Sequence, residues 1–304
     1  MAKVNIAKVV ADVKKLYAKD EKSQSMLSTG GTVKQTYKAE DGVPLEDGNP
    51  VKELLGLPCL PFNKVIQISG GPDVGKSTTC GQAMVSAQKN DIVVVLWESE
   101  SKFDSHRFKN QFGGDSEQIL LISTNEILQG GEKVRKSITA VKDSYPTAKI
   151  FFVWDSVGGS QSRGHAEKEL DSEKHNAPGQ AAKENGDVMR MLVGLINKYP
   201  DSIAVLLANQ VYAKIGFNAF GNQESGGKKI EFHSSAIIEL KRLKVLTKVS
   251  KGVKIKYGIQ TRGTVKKNHL NQGATSIHQL DFEITAAGAK VSSEQTGGDA
   301  DDLE

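Results

Sequence analysis

Residues 70–79 read GGPDVGKSTT and follow directly on the apolar run KVIQIS. Gly70-x-x-x-x-Gly75-Lys76-Ser77 satisfies the P-loop pattern, in which glycines let backbone N–H groups turn inward around phosphates at the positive end of a helix. Few short segments restrict a fold as tightly, because the loop works only with a strand before it and a helix after it. The segment therefore predicts a strand up to Ser69 and a tight loop through Gly70, Gly71, Pro72, Asp73, Val74 and Gly75. A helix is expected to begin near Lys76 and carry Ser77 and Thr78. In this pattern Lys76 reaches the β and γ phosphates of a nucleotide, and the Ser77 hydroxyl binds Mg²⁺.

The rest of the chain agrees with that geometry. Short apolar runs recur as KVIQIS, IVVVLW, ILLIS, KIFFVWD and IAVLLANQ, separated by helical or loop-like segments such as GDVMRMLVGLINKY. Apolar runs alternating with helical patterns predict an α/β fold with a mostly parallel sheet covered by helices on both faces. Further on, SAIIELKRLKVLTK, VKIKYGIQTRGTVKKN and SIHQLDFEIT alternate with period two, as an antiparallel extension would. At the start, NIAKVVADVKKLY places Ile6, Val9, Val10, Val13, Leu16 and Tyr17 on one helical stripe with Asn5 as N-cap. A lone helix of about three turns does not hold itself together in water, so this one is expected to pack on something. The polar stretch 19–49 reads as a connector with one strand, TVKQTYKA, and the Gly-, Ser- and acid-rich end reads as disordered. The expected division is an N-terminal helix and linker over 1–45, a core over 46–285 and an acidic disordered tail over 286–304.

Composition narrows the function classes. No stretch approaches the roughly 18 consecutive apolar residues of a membrane helix, and the first residues lack a signal-peptide pattern, so no membrane partner is expected. Cys59 and Cys80 are the two cysteines in 304 residues, too few for a disulfide framework or a zinc site, and a cytoplasmic location is expected. The charge is unevenly spread. Residues 224–274 hold twelve Lys or Arg against three Glu, while DADDLE at the end carries four acids. Such asymmetry suits a nucleic-acid binder or a solvated face with an acidic end.

A P-loop also needs a carboxylate on a neighbouring strand end to hold the metal, and KIFFVWDS supplies Asp155. Hydrolysis further requires a base beside the attacking water. WESESKFD offers Glu98, Glu100 and Asp104 for that task, and spacing alone does not choose among them.

Taken together, these motifs resemble the RecA family of ATP-dependent DNA recombinases, from the N-terminal helix to about residue 285, in the manner of a compact, phage-type member. The strongest element is LLANQVYAKIGFNAFGNQESGGKKIEFHSS, similar to the family's second DNA-binding loop and its flanks. The resemblance implies a RecA-like core with an N-terminal polymerisation helix, ATP and Mg²⁺ as ligands, and DNA-dependent ATP hydrolysis. By position, Glu100 corresponds to the catalytic glutamate, 24 residues after Lys76. Asp104 matches an adenine-contacting aspartate, and Arg107 stands where an aromatic residue often stacks on the base. Gln210 matches the glutamine that senses the γ-phosphate and relays its presence to the DNA loop.

For DNA, the family positions fall on Lys183, Gly186 and Arg190 after the first loop, and on Ile215, Gly226, Gly227 and Lys228 in the second. Cations neutralise phosphates, glycines allow close backbone approach, and an Ile wedges between bases. Phe232 falls on an aromatic interface position and reads equally well as core. Lys267 matches one of two lysines that reach into the next subunit's ATP, and His269 stands in the place of the second. The family's first-loop region, residues 155–179, is a few residues longer here. The sequence stops soon after the core, where longer members continue into a domain that gates duplex DNA. The implied function is a recombinase that forms helical filaments on single-stranded DNA and pairs it with double-stranded DNA, with mediator or single-strand-binding proteins as further partners. The rival readings are a ring-forming RecA-fold motor of the hexameric helicase type and a non-catalytic paralogue or mediator.

Overall fold

The computed structural model describes residues 36–162, 179–213, 222–270 and 278–291. The N-terminal helix, Ile215, most of the first loop and the tail from residue 292 lie outside the described residues. The chain divides into two units, Met1–Tyr37 and Lys38–Glu304, and the following concerns the second.

Described structure opens with a 3-10 turn at Ala39–Asp41, in the place where the end of a strand was expected. Strands β1 (Gly42–Pro44) and β2 (Cys59–Pro61) form a small antiparallel sheet of their own around helix α1 (Pro50–Leu55). Asn49 caps that helix by accepting from the Val51 N–H, with Pro50 at the first helical position and Gly56 in the left-handed conformation at its end. The alternation of strand and helix then follows: β3 (Val65–Gly70), α2 (Lys76–Lys89), β4 (Val93–Glu98), α3 (Ser105–Phe112), β5 (Ile119–Ser123), α4 (Ile127–Ser144) and β6 (Ile150–Asp155). Beyond the first-loop region come α5 (Gln180–Lys198), β7 (Ile203–Ala213), β8 (Asn222–Glu224) and α6 (Lys228–His233). The extension consists of β9 (Ala236–Ser250), β10 (Val253–Asn268), β11 (Gln279–Thr285) and β12 (Gly288–Lys290).

The main sheet runs β12-β11-β10-β9-β3-β7-β6-β4-β5, with β8 paired to β7. From β9 through β3, β7, β6 and β4 to β5 all pairings are parallel, whereas β9, β10, β11 and β12 pair antiparallel. Period-two alternation then assigns faces. Val95, Trp97, Phe152, Trp154, Val205 and Leu207 point into a core closed by α4 and α5. Trp97 and Trp154 stack there with centroids 4.1 Å apart, and each indole N–H has a partner, the Thr124 carbonyl and the Ser160 hydroxyl. The alternate residues of the same strands, among them Glu98, Asp155 and Gln210, face the side covered by α2. The strands are thus apolar on both faces, and their register brings Glu98, Asp155 and Gln210 together at the mouth of the P-loop.

The C-terminal boundary differs from the expected one. Structure continues past Thr285 into β12, with Ala289 and Val291 buried. The reason is tertiary: Gln82 of α2 accepts from the Ala289 N–H and donates to its carbonyl, and the Val291 N–H reaches the Gly48 carbonyl. The core thus extends to residue 291 instead of 285.

Candidate nucleotide site and DNA-facing surface

The loop between β3 and α2 closes as the motif requires. Gly70 has φ of 156° and lies so close to β9 that a Cβ would stand 2.5 Å from the Leu240 carbonyl oxygen. Gly75 caps α2 at φ 103°, where a Cβ would strike the Ile284 side chain. Both positions demand glycine. The Lys76 ammonium folds back onto the loop and donates to the Gly70 and Gly71 carbonyls at 2.9 and 2.6 Å. Burial lowers its pKa, against the opposing pull of Asp155 and Glu100. A cleft of about 500 Å³ opens over the loop, with Pro72, Thr78, Asp104, Arg107, Asp155 and Gln210 among its walls.

Asp155 closes the floor of this cleft. Its carboxyl is pushed above the usual carboxylate range by burial, against a hydrogen bond from Ser77 that lowers it. A hydroxyl and a carboxylate side by side are hard oxygen donors suited to Mg²⁺. Among the described residues no group of three or more His, Cys, Asp or Glu could hold a metal by itself.

The three acids left open by spacing are separated by geometry. Glu98 is buried, and its Oε1 accepts from the Glu100 and Lys102 N–H groups, holding its own loop. Asp104 caps α3 by accepting from the Arg107 N–H at 3.0 Å. Glu100 alone of the three meets the neighbouring strands. Its Oε1 accepts from the Ser156 hydroxyl and from Gln210 Nε2 at 2.7 Å, and its Oε2 from Lys102 at 2.5 Å. Burial raises the Glu100 pKa, but the hydrogen bonds from Lys102, Ser156 and Gln210 outweigh it and hold the carboxyl below its usual range. Arg107 bridges Gln111 and the Thr78 hydroxyl at the rim.

Ser156, Ser99 and Lys102 were not singled out from sequence. Ser99 Oγ donates to the Ser156 carbonyl and accepts from the Ser156 N–H, fixing the chain just after Asp155. The signal was available as a serine directly after each strand-end acid, in WES and WDS.

The expected DNA positions divide into those brought together and those not described. Lys183, Gly186 and Arg190 recur along α5 at near-helical spacing. Gly186 lies against α6, where a Cβ would stand 2.4 Å from the Lys229 side chain. Gly227 meets Ala182 of the same helix, and Gly226 faces Val157, Ile230 and Asn185. The glycine pair, Lys228 and the first half of α5 thus form one surface. Asn209 ties it to the sheet by donating to the Ser225 carbonyl at 2.9 Å. Arg190 pairs with Asp187 on its own helix.

A second and wider cleft, about 1330 Å³, shares Pro72 and Val74 with the first and is bounded by Lys228, Glu231, Arg242, Lys266 and Lys267. Lys267 donates to the Glu231 and Phe232 carbonyls at the end of α6. The His269 N–H donates to the Ser235 carbonyl. Phe232 is 77% exposed, so the core reading of this residue fails.

Comparison with known proteins agrees with this architecture. The sequence pattern of the RecA N-terminal domain matches residues 9–288. Protein RecA of Brucella canis is 28% identical over 232 residues, and Protein RecA of Agrobacterium fabrum 29% over 232. Each match covers 76% of this chain, but 59% and 58% of the respective relative.

Proposed function

The chain belongs to the RecA family, and on that premise we propose that it is a DNA-dependent ATPase and homologous recombinase working in the cytoplasm. It assembles as a helical filament on single-stranded DNA, pairs that strand with homologous double-stranded DNA and exchanges strands. The observation that carries the reading is the bond between Glu100 and Gln210. It joins the acid at the nucleotide cleft to the strand that runs into residues 214–221 and returns through the Gly226–Gly227 pair.

The chemistry follows from the residues in place. Backbone N–H groups of the Gly70–Gly75 loop and Lys76 hold the phosphates of ATP, so that Lys76 exchanges two carbonyl partners for phosphate oxygens. Ser77 and Asp155 would hold Mg²⁺, which would supply neutralisation of charge on the phosphates. Glu100 takes the proton of the water that attacks the γ-phosphorus, and ADP and phosphate leave. Gln210 and Ser156 orient the Glu100 carboxylate, and Gln210 shifts between it and the γ-phosphate. DNA contacts through Lys183, Arg190, Lys228 and the glycine N–H groups go to phosphates and read no sequence.

The test is ATP hydrolysis with and without single-stranded DNA, for the parental chain and for Gln210→Ala. Stimulation by DNA is expected in the parent and loss of most of it in the variant, with nucleotide affinity retained. A parental rate that ignores DNA, or a variant stimulated as fully as the parent, overturns the reading.

A further inference from the structure

Lys102 stands apart among the cations that line the nucleotide cleft. Lys76 is bonded to loop carbonyls, and Arg107 to Gln111 and Thr78. Lys102 instead holds the acid assigned to proton transfer, and the loop after β4 brings it there. Glu98 Oε1 gathers the Glu100 and Lys102 N–H groups at 3.0 and 2.9 Å, and Ser101 between them takes the left-handed conformation, φ 55°. The Lys102 side chain thereby turns back, and its Nζ reaches Glu100 Oε2 at 2.5 Å. The two partners differ in freedom. The Glu100 side chain is 18% exposed and packs against Gly159, where a Cβ would stand 2.4 Å from its Cγ. Ser156 and Gln210 donate to its other oxygen. The Lys102 side chain is 76% exposed, on a flexible four-carbon stem. An ion pair this open to solvent contributes little to stability, so stability does not account for its place. Glu100 raises the Lys102 pKa through its hydrogen bond and its charge, against burial, and Asp155 and Asp73 add to the rise. The ammonium thus stands in the field of the cleft floor and of the P-loop together.

We propose that Lys102 is a catalytic cation supplied by the subunit's own loop, covering Glu100 Oε2 before ATP binds and moving to the γ-phosphate when it enters. Both oxygens of Glu100 accept hydrogen bonds, and donors that favour the charged form make a carboxylate a poor base. A terminal phosphate carries more negative charge than one carboxylate and competes for the ammonium. The transfer frees Oε2 to take the water's proton. As it does so, the water oxygen bonds to the γ-phosphorus and the bond from phosphorus to the ADP oxygen breaks. Lys102 keeps its own proton and stabilises the charge gathering on the γ-phosphoryl oxygens. ADP offers no such partner, so Lys102 returns to Glu100 once phosphate has left. The base is armed by a triphosphate and covered with a diphosphate.

This role for Lys102 rests on the proposed hydrolysis of ATP; nucleotide affinities test it independently of turnover. Affinities for ADP and for β,γ-imido-ATP, and ATP turnover on single-stranded DNA, are measured for the full parental chain, Lys102→Ala and Lys102→Arg. In Lys102→Ala, affinity for the triphosphate analogue is expected to fall about tenfold, as for loss of one hydrogen bond between charged groups. ADP affinity should stay within about twofold of the parent, which also shows that the loop is folded. Turnover should fall about 100-fold, and Lys102→Arg should restore most of both losses. Mixing Lys102→Ala with Lys76→Ala subunits on single-stranded DNA should restore nothing, because every cleft then lacks a cation of its own subunit. Parental turnover in Lys102→Ala, or a faster rate, overturns the inference and leaves Lys102 a solvated partner of Glu100 or a brake on it. Lost turnover with an unchanged preference for triphosphate over diphosphate overturns it as well, since positioning of Glu100 alone gives that result. Recovery on mixing overturns the origin of the cation in the same subunit. A parent that hydrolyses no ATP, with or without DNA, sinks the proposed function instead, and the two affinities then decide Lys102 by themselves.

Discussion

The two clefts that meet at Pro72 and Val74 are furnished in opposite ways. In the nucleotide cleft nearly every charged group already has a partner within the chain: Lys76 on two carbonyls, Asp155 on Ser77, Glu100 on three donors. In the wider cleft, cations crowd along β9 and β10; Arg262 and Lys266 have carboxylate partners, but among the described residues Lys267 is engaged by nothing stronger than the end carbonyls of a six-residue helix. Parallel strands bring their ends together on one edge, so a site built there is assembled by the fold itself. An antiparallel extension spreads its side chains over an open face, which is completed by something that binds to it. The contrast teaches where substitutions should act within one subunit and where they should act between molecules.

The largest effects are expected in the self-contained cleft. Lys76→Ala removes the charge that exchanges carbonyls for phosphate, and nucleotide affinity should fall by more than about a hundredfold, as for truncation of a buried, hydrogen-bonded charge. Glu100→Gln keeps the shape of the site and loses the base, so binding should persist while turnover drops by about 10²- to 10⁴-fold. Fluorescent-nucleotide binding and phosphate release, measured side by side, distinguish the two. Parental turnover in Glu100→Gln would break the claim that this cleft holds its own base.

Lys267 tests the opposite case, a side chain of the wider cleft that acts on the nucleotide cleft of a neighbouring subunit. Lys267→Ala should lower DNA-dependent hydrolysis by about 10- to 100-fold, because a cation aimed at developing γ-phosphate charge acts in the transition state. It should leave nucleotide affinity in dilute solution unchanged. Lys76→Ala subunits lack the acceptor site and Lys267→Ala subunits the donor. Mixed on single-stranded DNA, about a quarter of randomly formed head-to-tail interfaces would regain both, and part of the activity should return. If Lys267→Ala alone keeps full turnover, or mixing restores nothing, the lysine serves α6 and no neighbouring site.

The same contrast explains what could be read from sequence. Strands buried on both faces are continuous apolar runs, so β3, β4, β6 and β7 stand out, and the P-loop and Asp155 follow from their positions at strand ends. The edge strand β5 gives a similar run, yet Leu120 and Leu121 are half exposed there, since one side of it has no partner strand among the described residues. β1, β2 and β12 are three residues each, too short to carry a period, and β12 is ordered by Gln82 from a distant helix. Within the site, spacing offered Glu98, Glu100 and Asp104 alike. Family resemblance favoured Glu100, and the hydrogen bonds show the physical difference, with Glu98 spent on its own loop and Asp104 on a helix cap. Lys102 and Ser156 stayed hidden because a hydrogen-bond partner of Glu100 has no sequence period of its own.

The smallest effect should come from the join between the extension's base and its free end. Arg262 on β10 grips Asp281 on β11 through two bonds of 2.6 and 2.8 Å, in the stretch where β10 is still flanked on both sides. The hydrogen bond from Arg262 holds the Asp281 pKa below its usual range, against a small opposing effect of burial. A carboxyl depressed in the folded state contributes stability at pH above its unfolded pKa, and that contribution is lost as pH falls through the folded value. The Arg262 side chain is 41% exposed, so solvent screens the pair and its contribution should be slight. A double-mutant cycle with Arg262→Gln and Asp281→Asn, followed by chemical denaturation, should therefore give a small favourable coupling at neutral pH. The coupling should weaken with added salt and vanish once Asp281 is protonated. Neither substitution should change nucleotide binding, because the pair lies outside the self-contained cleft. A coupling that persists in acid would mean that the contact is held by packing, and that the base of the extension is as self-contained as the nucleotide cleft.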